Sequence, residues 1–170
     1  MIVVEFLQVL WLLLPAGFAN MAPVLFGYVP FLDCPISKKL FGKNKTYRGF
    51  VFGIAVAIIV AQLQRLIVPY LFTSYEYSYA NPWILGVLLG FGALFGDLVK
   101  SFFKRRAGIR ESESWAPFDQ IDWIVGALIF LNFYILLSWR MNLFALLLFG
   151  LAHPVINYLG YLMRIKENKF

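Results

Sequence analysis

The sequence predicts an all-α integral membrane protein with about five transmembrane helices. Three observations predict it. Of 170 residues, 61% are hydrophobic, where a soluble domain has about 45–50%; the mean hydropathy is +0.75. Apolar runs long enough to cross a bilayer, which takes about 20 residues, lie at Val3–Tyr28, Gly49–Phe72, Trp83–Phe103, Phe118–Ser138 and Leu143–Leu162. Thirteen of the fifteen basic residues fall to one side of these runs. No linker, repeat or low-complexity tract divides the chain, so residues 1–170 read as one domain.

The first segment has Glu5 as its only charge and no basic start. It reads as a retained helix rather than a cleaved signal peptide. Pro15, Gly17, Asn20 and Pro23 predict a kink or break in it. Asn20 then either touches a ligand or satisfies a freed carbonyl.

The connection to the second helix carries Lys38, Lys39, Lys43, Lys45 and Arg48. Anchoring to anionic lipid headgroups explains the charge. It does not explain Gly42, Asn44, Thr46 and Gly49 between the cations. Glycine permits close backbone approach, Asn and Thr donate hydrogen bonds, and Lys and Arg neutralise phosphate oxygens. The second helix then begins near Gly49 with its positive dipole end. These residues suggest phosphate binding, although GKNKT is not a Walker A loop. Cys34 in this loop permits no internal disulfide and reads as a small apolar filler.

Tyr75, Tyr77, Tyr79 and Trp83 fit an aromatic belt at the opposite face. Arg65 there snorkels. In the third helix Asp97, Lys100, Ser101 and Lys104 stand at i, i+3, i+4 and i+7 and share one face. Asp97 lies seven residues, roughly 10 Å, inside the basic boundary at Lys104, near the headgroup level. A carboxylate there is expensive and suggests function; an ion pair with Lys100 or Lys104 is the simpler reading.

The fourth segment opens with Asp119 and Asp122 after Pro117. First-turn acids favour the helix dipole, which suffices for one Asp. Two acids at i, i+3 facing the same pocket as Asp97 suit a hard cation, Mg²⁺ first among them. Glu111 and Glu113 read as solvated. His153 and Asn157 share a face of the fifth helix and read as packing residues. The basic loops and the C-terminal Arg164, Lys166 and Lys169 place that side in the cytoplasm, with the N-terminus outside.

Taken together, four stretches carry a resemblance: LPAGFANMAPV, PFLDCPISKKLFGKNKTYRGFVFG, GALFGDLVKSFFKRRAGIRESESWAPFDQIDWIVGAL and AHPVINYLGYLMRIK. The chain resembles the archaeal CDP-archaeol synthase family, related to the CDP-diacylglycerol synthases, over nearly its whole length. The wider group carries S-x-x-K-R followed by D-R-x-D. The counterparts here are Ser101, Lys104, Arg105, Asp119 and Asp122. Trp115-Ala-Pro-Phe118 replaces the usual H-G-G, and Gln120 replaces the Arg between the acids; both departures favour the archaeal branch.

The resemblance implies a Mg²⁺-dependent cytidylyltransferase of the cell membrane. It would transfer CMP from CTP to an isoprenoid ether-lipid phosphate. The implied site has Asp97, Asp119 and Asp122 at the metal, with Lys100, Ser101 and Lys104 beside them. Gly42, Lys43, Asn44, Lys45, Thr46 and Arg48 would bind the nucleotide. Arg105 and Asn20 would meet the lipid phosphate. The bilayer, CTP and the lipid phosphate are the expected partners, with no nucleic acid; a homodimer is compatible with the sequence. Other classes are a small transporter or proton relay through Asp97 and Lys100, a CDP-alcohol phosphotransferase, whose D-G-x-x-A-R start is absent, and a purely structural membrane protein.

Overall fold

The computed structural model of the chain describes residues 2–72, 77–111 and 113–162, with side chains within 3–152. Over these residues it is all-helical: α1 (Ile2–Leu25), α2 (Tyr47–Leu71), α3 (Pro82–Arg106), α4 (Phe118–Asn132) and α5 (Trp139–Leu162). Among the described residues α1, α2 and α3 are long and apolar enough to cross a membrane. The expected side chains of His153 and Asn157, and Tyr75, Arg164, Lys166 and Lys169, lie outside the described residues.

α1 is not broken at its prolines. Pro15 has no N–H to give the carbonyl of Trp11, one turn earlier. Gln64 of α2 supplies the missing donor, its Nε2 bonding to Trp11 O. A polar side chain on a neighbouring helix thus repairs the ladder where no water reaches. α2 starts two residues before the expected Gly49 because Thr46 caps it, its hydroxyl accepting from Gly49 N at 3.1 Å. Asn81 caps α3 in the same manner, accepting from Trp83 N at 2.9 Å, with Pro82 in the first turn.

α4 is shorter than its apolar run, ending at Asn132 rather than Ser138. Asn132 bonds backward to Leu128 O at 2.7 Å and accepts from Leu137 N at 2.9 Å. Asn142 joins it at 2.8 Å and bonds Leu137 O at 3.1 Å. The two amides therefore hold a turn inside the apolar stretch, and α5 begins at Trp139. At 15 residues α4 measures roughly 22 Å, short of the roughly 30 Å hydrocarbon core.

α3 packs against α1, α2 and α4. Its glycines set the distances. A Cβ on Gly86 would lie 2.9 Å from Ile58 N of α2. On the other side, a Cβ on Gly92 would lie 2.7 Å from Gly126 O of α4, and Gly96 and Gly126 face Asp122 O and Gly92 O still more closely. Small residues let membrane helices meet backbone to backbone. Val9, Leu12, Leu13, Leu89, Ile124 and Leu131 fill the core between them, while Val24, Ile59, Leu66, Ile129 and Leu151 face outward. Two sequence expectations change here. Tyr77 is buried, its hydroxyl against Met141 Sδ at 3.0 Å, so Tyr79 and Trp83 alone of the described belt residues are exposed. Cys34 is exposed rather than a filler, because the loop turns it away from the helices.

Gly126→Val is expected to destabilise the protein by about 1–3 kcal/mol or more, the range for overpacking. Gly17→Ala, whose Cβ would meet only Trp123 at 4.0 Å, serves as the tolerated control. Thermal unfolding in detergent measures both; equal midpoints would contradict the α3–α4 backbone contact.

Candidate active site

The close approach of α3 and α4 brings the face of Asp97, Lys100 and Lys104 against the first turns of α4. Asp119 and Asp122 are one turn apart there and point the same way. The first loop arrives from the side. It is folded back on itself by Ile36 N→Lys45 O at 2.8 Å, Tyr47 N→Cys34 O at 3.1 Å and Arg48 N→Leu32 O at 3.0 Å. This fixes the backbone at Lys45, whose ammonium pairs with Asp97 Oδ2.

Lys100 is the centre. Its Nζ lies 3.2 Å from Asp97 Oδ1, 2.8 Å from Asp119 Oδ1 and 3.0 Å from Asp122 Oδ2. Lys104 reaches Asp119 Oδ2 at 3.3 Å. The two remaining backbone donors come from α4 and its approach: Trp115 N to Asp119 Oδ2 at 2.5 Å and Trp123 N to Asp122 Oδ1 at 2.7 Å. Three carboxylates and three ammonium groups thus form one network. Only 6% of the Asp122 side chain and 8% of the Lys104 side chain are exposed. A buried ion network is weak evidence for stability, since its desolvation cost offsets its attraction. Its presence at one end of apolar helices suggests function.

Asp97 therefore pairs with Lys45 and Lys100, where the sequence suggested Lys100 or Lys104. Other candidates have local duties. Ser101 is buried and donates to Asp97 O at 2.8 Å, one turn back in its own helix. Thr46 caps α2. Arg48 is tied to Val29 O at 2.7 Å and Asp33 Oδ1 at 3.0 Å, bracing both ends of the first loop. Lys43 and Asn44 are exposed on the loop tip, Arg105 is half-buried at the end of α3, and Asn20 is half-buried on α1, one turn before Pro23. Pro23 in turn lies 3.1 Å from where a Gly49 Cβ would stand.

Glu111 is not simply solvated. Its Oε1 accepts from Lys43 N at 2.9 Å across 68 residues of sequence. Gly42, at φ +93°, passes so close that a Cβ would lie 2.6 Å from the same oxygen. Positive φ and close approach both require glycine there. The acid joins the third connection to the basic loop, a contact that only the glycine-rich spacing of that loop hints at. Glu113 is exposed, as expected, and accepts from Arg110 N at 3.1 Å.

A second feature adjoins the network. A cleft of about 520 Å³ opens between α3 and α4. Phe95, Val99, Phe103, Val125 and Ile129 line its outward part, and Lys100 and Asp122 stand at its polar end. Its volume falls within the usual range for ligand pockets. It opens onto an apolar outer surface, where Phe95, Phe103 and Ile129 are exposed.

The donor set has the chemistry of a hard divalent cation site. All three acids offer oxygens, with no sulfur or imidazole among them, which suits Mg²⁺. They converge on one point, and Lys100 Nζ fills it. Among the described residues no open cluster of three ligating side chains is present. The acids fit a divalent ion on condition that the ammonium moves.

Known proteins share this arrangement of chain. A family model described as CarS-like, CDP-archaeol synthase, matches residues 1–170. The CDP-archaeol synthase of Thermococcus onnurineus is 36% identical over 161 residues, covering 92% of each chain. That of Methanopyrus kandleri is 34% identical over 168 residues, with 93% of this chain and 90% of the relative covered. That of Methanocaldococcus jannaschii is 32% identical, covering 93% of each. A solved structure of an intramembrane enzyme for archaeal membrane lipids biosynthesis superposes with TM-score 0.70 at 28% identity, over 89% of this chain and 94% of its own. With the family model matched from end to end and relatives above 30% identity along nearly the full length, this chain belongs to the CDP-archaeol synthase family.

Proposed function

We propose that the protein transfers CMP from CTP to an isoprenoid ether-lipid phosphate, forming unsaturated CDP-archaeol and pyrophosphate. The observation that carries this reading is the shared wall of two unlike spaces. Lys100 and Asp122 belong both to the ionic network and to the apolar cleft between α3 and α4. A molecule with a phosphate head and branched hydrocarbon chains satisfies both at once.

The reaction needs little covalent help. An oxygen of the lipid phosphate attacks the α-phosphorus of CTP, the bond from that phosphorus to the β-phosphate bridge oxygen breaks, and pyrophosphate leaves. A phosphate monoester has its second pKa near 6, so the attacking oxygen is already ionised at neutral pH and no general base is required. Catalysis is then alignment and charge neutralisation. Lys45 and Lys43 on the first loop receive the triphosphate, with Gly42 letting that loop close on Glu111. Lys100, Lys104 and Arg105 receive the lipid phosphate at the mouth of the cleft. Arg48 and Thr46 act by holding the loop and the start of α2. Asp97, Asp119 and Asp122 would hold Mg²⁺, which when bound neutralises phosphate oxygens and stabilises the leaving pyrophosphate.

Membrane placement follows the charges. Basic loops favour the cytoplasmic side, where CTP is found, and the network lies at that end. Five crossings then require α4 to span together with the turn after Asn132. The ion-relay alternative draws no support, because the network is gathered at one end and the family relatives are synthases.

The decisive assay supplies purified protein in detergent with labelled CTP, Mg²⁺ and an isoprenoid glycerol phosphate, with a diacyl glycerol phosphate in parallel. Labelled lipid and released pyrophosphate are expected, and failure with both lipids would overturn the proposal. Asp97→Asn is expected to retain the fold and lose at least about 100-fold in turnover, the scale for removing one electrostatic group from a reacting site; an active variant would remove Asp97 from the site. Lys45→Ala is expected to raise KM for CTP more than it lowers kcat, the pattern of lost uniform binding, and an unchanged KM would make Lys45 a lipid anchor. Val125→Trp, which fills the cleft, is expected to raise KM for the lipid several-fold with KM for CTP unchanged; equal effects on both would exclude the cleft as the lipid path.

A further inference from the structure

Every carboxylate oxygen in the network is already engaged. Asp97 gives Oδ1 to Lys100 and Oδ2 to Lys45. Asp119 gives Oδ1 to Lys100 and Oδ2 to Lys104 and Trp115 N. Asp122 gives Oδ2 to Lys100 and Oδ1 to Trp123 N. Lys100 is the partner common to all three. A divalent ion entering this group would compete with the ammonium for the same oxygens and be repelled by its charge. The ammonium cannot leave unpaired, because its side chain is only 15% exposed and an uncompensated charge in such surroundings is costly.

We propose that Lys100 is a built-in counter-ion that exchanges with the divalent cation. In the substrate-free protein its ammonium closes the carboxylate site. When cation and phosphate arrive together, the three acids pass to the cation and Lys100 turns to the phosphate oxygens. Neither half of the exchange is favourable alone: cation without phosphate strands the ammonium, and phosphate without cation meets acids facing it. Lys100 thus couples metal affinity to phosphate binding. This rests on the reading above that the three acids hold the metal.

Mn²⁺ titration followed by electron paramagnetic resonance, on the full chain in detergent without nucleotide, tests the exchange. Wild type is expected to bind Mn²⁺ weakly. Lys100→Met is expected to bind it at least ten-fold more tightly, because three oxygens are released, and Lys100→Arg is expected to remain weak. Lys100→Gln serves beside Met should the latter aggregate on size exclusion. Adding Asp122→Asn to the Met or Gln variant should abolish the gain. Equal nucleotide-free affinity in wild type and the neutral variants overturns the exchange. If Asp122→Asn then weakens both, the acids still hold the metal and only the exchange has failed. If Asp122→Asn changes neither, the metal lies elsewhere and the underlying reading falls with it.

Discussion

The backbone contact between α3 and α4 is the constraint on which the site depends. Gly92, Gly96 and Gly126 leave no room for a Cβ between the two helices. This places Gly96, the neighbour of Asp97, directly against the carbonyl of Asp122. Two acids from separate helices then share one ammonium. Between bulky side chains the helices would stand at the 8–10 Å usual for helix pairs, and Lys100 would not span both rows of carboxylates. In a bilayer no apolar driving force between helices compensates for poor fit, so close packing of small residues has to supply the attachment.

Once assembled, the network is self-consistent in charge: three acids against three ammonium groups. That balance allows ionised groups to be tolerated low in an apolar bundle. On the proposed exchange it also leaves the resting site unreceptive to a lone ion of either sign. A reaction that brings a cation and two phosphate groups together suits such a site, because each newcomer replaces a partner that another newcomer takes up. The loops serve the same end. Glu111 ties the basic loop to the third connection, and Arg48 ties the loop's two ends. Lys45 is thereby delivered to Asp97 by backbone geometry, not by chance contact of a long side chain.

Much of this was legible in the residues. Hydropathy located five apolar segments, and the spacing of Asp97, Lys100 and Lys104 with that of Asp119 and Asp122 put the acids on converging faces. Helical periodicity is a local property, so it survives in sequence. What the spacing could not reveal were partners set by tertiary approach. Gln64 completing the helix at Trp11, Lys45 reaching Asp97, and Glu111 accepting from Lys43 each join positions 52 to 68 residues apart; the first spans 53. Ser101, Thr46 and Arg48 have residue types suited to phosphate, yet nearby backbone groups claim the first two, and Val29 O and Asp33 at the start of the loop claim Arg48. The end of α4 escaped the hydropathy reading because Asn132 and Asn142 build their turn within an apolar run, satisfying its backbone with side-chain amides.

The position of the cleft gives the geometry its chemical sense. Its apolar walls belong to α3 and α4, the same helices that carry the acids, so chain and headgroup sites are rigidly related. On the proposed reaction a hydrocarbon chain lying along Phe95, Val125 and Ile129 would bring its head end to Lys100 and Asp122. On the same proposal the phosphate would then reach the first loop while the chains remain in the lipid phase. Extracting isoprenoid chains into water would cost about 0.8 kcal/mol for each buried methylene, far more than any phosphate contact returns. A soluble pocket would have to cover that surface itself. A cleft open to the bilayer would avoid the cost by leaving the chains where they already are.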